Sequence, residues 1–259
     1  MLEPGAADLD LTEPLRHFAE HGWARLGKVL SDEARLALGE RAHQIMLGEV
    51  AYPGLFFQLD TTTGDYADLE YKKGYQGPSL NYRKLEKLEK DPLFLQWIQN
   101  PLYGRIAQAL CGDAVSIYRA TLFNKASTGG TVLPWHQDGG SYWGLDRDPT
   151  LQIWTALDDV PEASGCVEVF PLSHRQGLAT PLGGVVPDWL VQERRAEESA
   201  VALPARAGEA MLIHNHLWHR SKVNKTGLPR RALTVCYMSA ETRCLRKKRA
   251  PRTFTRVFG

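Results

Sequence analysis

The sequence predicts a mainly β protein with flanking helices: a double-sheet jelly roll, or double-stranded β-helix, packed against an N-terminal helical layer. Helix signals occupy much of the first 112 residues, and short β-like runs separated by Gly, Pro, Asp and Ser follow from residue 115. The 259 residues are enough for one large domain, and no repeat or linker interrupts them. We therefore expect a single domain over residues 1–259, with the jelly-roll core at about 115–240.

Four helices are predicted in the N-terminal half. Capping residues and prolines begin helices at Thr12, Ser31 and Asp91, and Pro101 restarts the third as a fourth. Glycines end three of these helices near residues 22, 48 and 112. The β-like runs that follow cover residues 115–123, 151–157, 165–170, 200–203, 210–213 and 232–238.

Residues 49–82 form a long irregular segment that is rich in glycine and aromatic residues. The aromatic residues are Tyr52, Phe56, Phe57, Tyr66, Tyr71, Tyr75 and Tyr82. Such a segment is often a lid or a binding loop, but packing of the rings on the outside of a sheet is an equally good interpretation.

Composition excludes several classes of protein. A net charge of +1 argues against a nucleic-acid binder, and no apolar run approaches the length of a membrane span. The N-terminus lacks the basic and apolar regions of a secretory signal. Four widely spaced cysteines, at positions 111, 166, 236 and 244, indicate reduced thiols, so we expect a cytoplasmic protein.

The chemistry centres on His136-Gln137-Asp138. If this stretch is a strand running into a turn, the imidazole and the carboxylate face the same side. They would supply two of the three ligands of a 2-His-1-carboxylate iron site. Alone, the pair also fits a surface turn, because Asp-Gly-Gly is a turn signal. Three histidines downstream are candidates for the third ligand, namely His214, His216 and His219.

With these motifs the chain resembles the phytanoyl-CoA hydroxylase-like family of Fe(II)/2-oxoglutarate dioxygenases, most clearly over residues 115–240. The resemblance rests on His136-x-Asp138, on residues 153–157, on residues 165–174 and on the stretch from His214 to Arg230. Where the family usually has Pro-Gly-Ser-His, this chain has Leu172 in place of the glycine. Only His219 has the Ser, Asn and Arg that follow the family's ligand, so packing or hydrogen bonding is favoured for the other two histidines.

The resemblance implies Fe(II) bound by His136, Asp138 and His219, with 2-oxoglutarate and O2 as cosubstrates. Arg230 would bind the far carboxylate of 2-oxoglutarate, because arginine is a permanently charged, two-pronged partner. Its neighbour Arg231 would face the other side. Trp154, Ser221 and Thr121 would surround the cosubstrate, and either Arg83 or Lys84 falls where some relatives carry another basic contact.

The implied reaction is hydroxylation of a small-molecule substrate with release of succinate and CO2. Related halogenases lack the carboxylate ligand, so Asp138 argues against halogenation. Two other functions fit the same residues: an inactive jelly-roll binding protein and a metal-dependent hydrolase. The hydrolase leaves Arg230 without a role.

We expect three segments to line the substrate mouth. They are residues 49–82, the pair Tyr142-Trp143 and the insertion at 178–198. A further segment, residues 243–256, is basic and includes Lys248 and Arg249. A solvated tail is the usual interpretation of such a run, and an anion-binding edge is the alternative.

Overall fold

The computed structural model describes residues 1–70, 74–127, 129–247 and 252–259, so the predictions for Tyr71, Lys248 and Arg249 lie outside the described residues. The helices are α1 (Thr12–His21), α2 (Asp32–Leu47), α3 (Pro92–Ile98), α4 (Pro101–Cys111) and α5 (Asp188–Glu193). The first four match the predicted helices to within a residue or two. None of the described helices is long and apolar enough to cross a lipid bilayer.

The helices begin where the sequence places capping residues. The Ser31 hydroxyl accepts a hydrogen bond from the Ala34 amide at the start of α2. Asp91 accepts from two amides at the start of α3, and the Asn100 side chain caps α4. In both α3 and α4 a proline occupies the first turn, where its missing N–H costs no intrahelical hydrogen bond.

Two antiparallel sheets form the body of the described fold. The strands are β1 (Trp23–Lys28), β2 (Phe56–Leu59), β3 (Tyr82–Glu86), β4 (Val115–Lys125), β5 (Leu133–Gln137), β6 (Leu151–Ala156), β7 (Val167–Phe170), β8 (Gly184–Val185), β9 (Val201–Leu203), β10 (Glu209–His214), β11 (Trp218–Ser221), β12 (Arg230–Ser239) and β13 (Thr255–Phe258). The larger sheet has the order β1-β10-β6-β12-β4-β3-β2, and β13 also pairs with β4. The smaller sheet has the order β8-β5-β11-β7-β9. The predicted fold class is confirmed.

The helical layer covers one face of the larger sheet. Leu38 of α2, Trp97 of α3 and Tyr237 of β12 are fully buried in one apolar cluster, which extends from Ala6 to Val257. The opposite face of the sheet meets the smaller sheet through a second cluster that includes Trp154. Because the helices cover one face of the larger sheet, a functional site can form only between the two sheets.

The prediction was incomplete at the sheet edges. Strands β1, β2, β3, β8 and β13 were not predicted, because each is stabilised by a partner distant in sequence: β1, for example, pairs with β10. The described residues of the basic segment 243–256 are also not simply a solvated tail. The Arg252 guanidinium stacks over the Tyr118 ring, 4.5 Å from its centroid, and β13 extends the sheet.

Candidate metal and cosubstrate site

Three side chains from the smaller sheet converge at one point between the sheets. His136 and Gln137 are the last two residues of β5, and Asp138 follows directly. His219 lies on β11, paired in register with His136, and the two imidazole centroids are 4.0 Å apart. One ligand atom from each of His136, Asp138 and His219 lies within 4.8 Å of the others. Among the described residues, these form the only group of three such side chains placed to hold a metal ion.

Main-chain carbonyls orient both imidazole rings. Nδ1 of His136 is 2.9 Å from the Pro134 carbonyl oxygen, and Nδ1 of His219 is 2.8 Å from the Leu217 carbonyl oxygen. A carbonyl can only accept, so each Nδ1 carries the proton and each Nε2 keeps its lone pair for a metal. Burial, and next the His219 ring, lower the pKa of His136 to about 3, so His136 is a neutral ligand at physiological pH.

The Asp138 carboxylate is held by two side chains of the larger sheet. Oδ1 accepts from Nη2 of Arg119 at 2.9 Å, and Oδ2 accepts from Nε2 of Gln152 at 2.7 Å. Burial acts to raise the pKa of Asp138, but the Arg119 guanidinium acts against it, and the pKa stays below its usual range. The carboxylate is therefore an anionic ligand with a fixed orientation. Neither Arg119 nor Gln152 belongs to a motif that predicts a site residue.

His214 and His216 lie outside the metal group. The His214 ring packs beside Phe18 and His174, and its Nδ1 accepts from the His216 amide at 3.0 Å. Nε2 of His216 is 3.0 Å from Oδ2 of Asp148, a carboxylate that also accepts from the Gly140 amide. These contacts give the two histidines the packing and hydrogen-bonding roles that the sequence favoured.

The turn after Asp138 is packed tightly against the segment leading into β8. The Ser141 amide donates to the Pro181 carbonyl at 3.0 Å, and the Tyr142 amide donates to the Leu182 carbonyl at 3.2 Å. A Cβ added to Gly183 would lie 2.1 Å from the Gly139 carbonyl oxygen. Glycine at 183 is therefore required by this close approach as well as by its φ of +75°.

The close contact at Gly183 predicts that alanine substitutions at two neighbouring glycines will lower the stability by different amounts. Gly184 has the same φ of +75°, but a Cβ there would have no atom within 4 Å. Gly184→Ala should cost only the left-handed backbone, about 1–2 kcal/mol. Gly183→Ala should cost at least about 1 kcal/mol more, because the turn must shift. Urea denaturation of both variants measures the difference, and equal losses would contradict this packing.

A cavity of about 400 Å³ extends from the three ligands to Arg230. Trp154, Ser221 and Arg230 line it, as do both Arg83 and Lys84. Thr121 does not: it is buried on β4 directly opposite Thr234 of β12, and Thr234 is the one that lines the cavity. Each predicted mouth segment contributes to the lining, which includes Gln58, Asp60, Tyr66, Leu69, Tyr142, Trp143, Leu182 and Val185.

Arg230 is a buried cation at the inner end of this cavity. Its side chain donates through Nη2 to the Gly165 carbonyl, and the residue is 3% exposed. Its Nε has no hydrogen-bond partner in the described part of the chain. Within the described residues it forms no ion pair. Burial lowers the pKa of Arg230 to about 10, which leaves it charged at neutral pH. Arg231 faces the opposite side, where it pairs with Asp158.

Sequence comparison identifies the family. The family described as phytanoyl-CoA dioxygenase (PhyH) matches residues 18–232. The chain belongs to this family. Among its relatives, phytanoyl-CoA dioxygenase domain-containing protein 1 of Danio rerio is 28% identical over 159 residues, which are 58% of this chain and 54% of that protein. The family match confirms the resemblance found in the sequence.

Other comparisons cover more of the chain. Phytanoyl-CoA dioxygenase 1 of Oryza sativa subsp. japonica is 28% identical over 261 residues, covering 88% of this chain and 89% of that protein. By contrast, this chain spans about half the length of the Danio and mouse domain-containing proteins that it matches. The crystal structure of EctD from S. alaskensis with 2-oxoglutarate and 5-hydroxyectoine has a TM-score of 0.74 at 19% identity, over 97% of this chain and 84% of EctD. That likeness supports the jelly-roll fold.

Proposed function

We propose that this protein is an Fe(II)- and 2-oxoglutarate-dependent dioxygenase that hydroxylates a small molecule and releases succinate and CO2. One observation carries the proposal: a 2-His-1-carboxylate group shares one cavity with a buried arginine that has no ion-pair partner among the described residues. Membership of the phytanoyl-CoA dioxygenase family supports the same activity and cofactors.

The residues at the proposed metal site suit Fe(II). His136 and His219 offer neutral nitrogen donors, and Asp138 offers an anionic oxygen donor, which is the ligand set of non-haem iron oxygenases. Bound iron would supply O2 activation coupled to oxidative decarboxylation of 2-oxoglutarate. The protein contributes the orientation of all three ligands through Arg119, Gln152 and two carbonyl groups.

The inner end of the cavity suits a dicarboxylate. Arg230 is already desolvated and has an unused N–H, so an arriving carboxylate gains a charge-assisted hydrogen bond. In the same cavity Ser221 offers a hydroxyl, and Trp154 supplies an apolar wall. Lys84 also lines the cavity, where Glu86 at 2.5 Å balances its charge. We assign 2-oxoglutarate to this end of the cavity.

The substrate is then expected at the outer end, between Tyr66, Trp143 and Leu182. The cavity volume of about 400 Å³ falls in the range of small-molecule sites. Because one apolar cluster joins the N-terminal helices to β13, we treat residues 1–259 as a single catalytic domain.

The test measures succinate from the purified chain supplied with Fe(II), 2-oxoglutarate and a panel of small molecules. Succinate release that requires both O2 and 2-oxoglutarate supports the proposal, and a substrate should stimulate it well above the uncoupled rate. Binding of metal and 2-oxoglutarate without succinate under any condition would indicate an inactive binding protein. Turnover that continues without O2 would indicate a hydrolase.

A further inference from the structure

A series of stacked side chains connects an exposed arginine near the C-terminus to the candidate metal site. The Arg252 guanidinium lies over the Tyr118 ring, 4.5 Å from its centroid. The Tyr118 ring stacks on the Trp143 ring, with centroids 4.1 Å apart and an angle of 9° between the planes. The Arg119 guanidinium lies over Trp143, 4.8 Å from its centroid, and donates to the Asp138 carboxylate. We name the four side chains from Arg252 to Arg119 the arginine–aromatic stack.

The stack depends on an irregularity in β4. Arg119 and Ile117 pair with consecutive residues of β12, so Tyr118 between them has no register partner on that strand. This arrangement is a β-bulge. In a regular strand neighbouring residues face opposite sides, but a bulge changes the direction of one side chain. Tyr118 and Arg119 can therefore both contact the ring of Trp143, although they are adjacent in the chain.

The inner members of the stack are buried, and its outer end is exposed. Trp143 and Tyr118 are 6% and 8% exposed, whereas Arg252 lies at the surface, where its Nη2 also donates to the Tyr118 main-chain carbonyl. Trp143 stands in the turn that follows Asp138, and its amide donates to the Gly140 carbonyl at 2.9 Å. The ring in this turn therefore contacts the arginine that holds the metal ligand.

Residues shortly before Arg252 in the chain contact the same turn directly. The Leu245 amide donates to the Gly144 carbonyl at 2.8 Å, and Nη2 of Arg246 donates to the Tyr142 carbonyl at 2.6 Å. The residues immediately before and after Trp143 are thus both hydrogen-bonded to this part of the chain. These bonds hold the backbone of the turn, and the contact from Arg252 acts on the stacked rings.

We propose that Arg252 is a positioning residue for the metal ligand Asp138 and that it acts through the arginine–aromatic stack. The inference rests on the metal site of the proposed function. A guanidinium fixed by its stacking partner presents its N–H groups in one direction, so the carboxylate that accepts from it also keeps one orientation. Loss of Arg252 leaves the rings of Tyr118 and Trp143 freer to shift, and Arg119 then holds Asp138 less firmly.

The experiment measures binding of Co(II) to the full chain, because Co(II) accepts the same nitrogen and oxygen ligands and its visible absorption reports their geometry. Arg252→Ala should change this absorption and weaken Co(II) binding about threefold, since an exposed cation–π contact corresponds to a factor of about two to five. The midpoint of urea unfolding should stay close to wild type, because Arg252 is exposed. A purely structural role would lower the midpoint and leave the Co(II) absorption unchanged.

Further variants test how Arg252 acts. Arg252→Lys keeps a cation over the ring, so it should recover most of the Co(II) affinity. In a chain that already carries Arg119→Met, which cannot donate to Asp138, adding Arg252→Ala should leave Co(II) affinity unchanged. The matched control is Arg105→Ala, because Arg105 is also exposed and donates to the Ala7 main-chain carbonyl, but lies on α4 in the helical layer. It should bind Co(II) as the wild type does.

The outcomes separate this inference from the proposed function. Wild-type Co(II) affinity and absorption in Arg252→Ala would overturn the role of Arg252, and so would an equal loss of affinity with and without Arg119→Met. If Arg119→Met does not fold, the lysine variant decides, because a loss in Arg252→Lys equal to that in Arg252→Ala would also overturn the role. Each of these results leaves the proposed function standing. Failure of the wild-type chain to bind Co(II) would overturn both.

Discussion

Replacing Asp138 with alanine should abolish hydroxylation and weaken metal binding by at least about 100-fold. The change removes the one anionic ligand of the proposed site. It also removes the 2.9 Å partner of the mostly buried Arg119 guanidinium, which then keeps only the longer 3.7 Å ion pair with Glu86 among the described residues, a few ångströms from an entering cation. Loss of one partner of a buried ion pair costs about 3–5 kcal/mol, and here the remaining charge repels the metal as well. Metal titration by calorimetry and succinate formation measure the two effects.

A matched substitution separates metal binding from stability. Asp158 also forms a close ion pair with an arginine, at 2.7 Å from Arg231, but on the helix-facing side of the larger sheet. Asp158→Ala should lower the free energy of unfolding without changing metal affinity. If Asp138→Ala keeps wild-type metal affinity, or if Asp158→Ala loses it equally, the proposed metal site is wrong.

The ligands could be predicted because they depend on local spacing. Side chains two residues apart face the same side of a strand, so His136 and Asp138 point toward the same place. The choice of His219 as the third ligand depended on the Ser, Asn and Arg that follow it, because His214 and His216 offer the same imidazole ligand. In the structure, Asn224 supports a turn: its side-chain amide donates to the carbonyls of Ala126 and Leu228.

The groups that orient the ligands could not be predicted, because they depend on pairing between distant strands. Arg119 and Gln152 meet at Asp138 because both lie opposite Cys236, one on each side of β12. No local pattern specifies that register. The alternation of side chains along β4 offered a partial signal: Arg119 lies two residues before Thr121, which the family resemblance already placed near the cosubstrate, so both face the same side of the strand. The edge strands were missed for the same reason, since β1 becomes a strand only against β10.

Arg230→Ala should raise the concentration of 2-oxoglutarate required for half-maximal activity by at least about tenfold. A charge-assisted contact of this kind contributes about 1.5–3 kcal/mol, and each 1.4 kcal/mol is about a factor of ten. Metal affinity should survive, because the hydrogen bond that Arg230 donates goes to the Gly165 carbonyl and not to a metal ligand. Arg230→Lys should recover only part of the loss, since lysine keeps the charge but not the planar fork. Calorimetry with 2-oxoglutarate and kinetics of succinate release provide the measurements.

Arg231 provides the control, because its side chain lies on the other side of the strand and forms an ion pair. Arg231 donates to Asp158 at 2.7 and 2.9 Å and contacts Gly39 and His43 of α2. Arg231→Ala should therefore lower the free energy of unfolding and leave 2-oxoglutarate affinity nearly unchanged. Arg230→Ala should weaken 2-oxoglutarate binding without lowering the free energy of unfolding. The buried cation contributes little to folding, and its removal relieves a desolvated charge. If Arg231→Ala weakens 2-oxoglutarate binding and Arg230→Ala does not, then the cosubstrate lies on the helix-facing side of this strand and the assigned cavity is wrong.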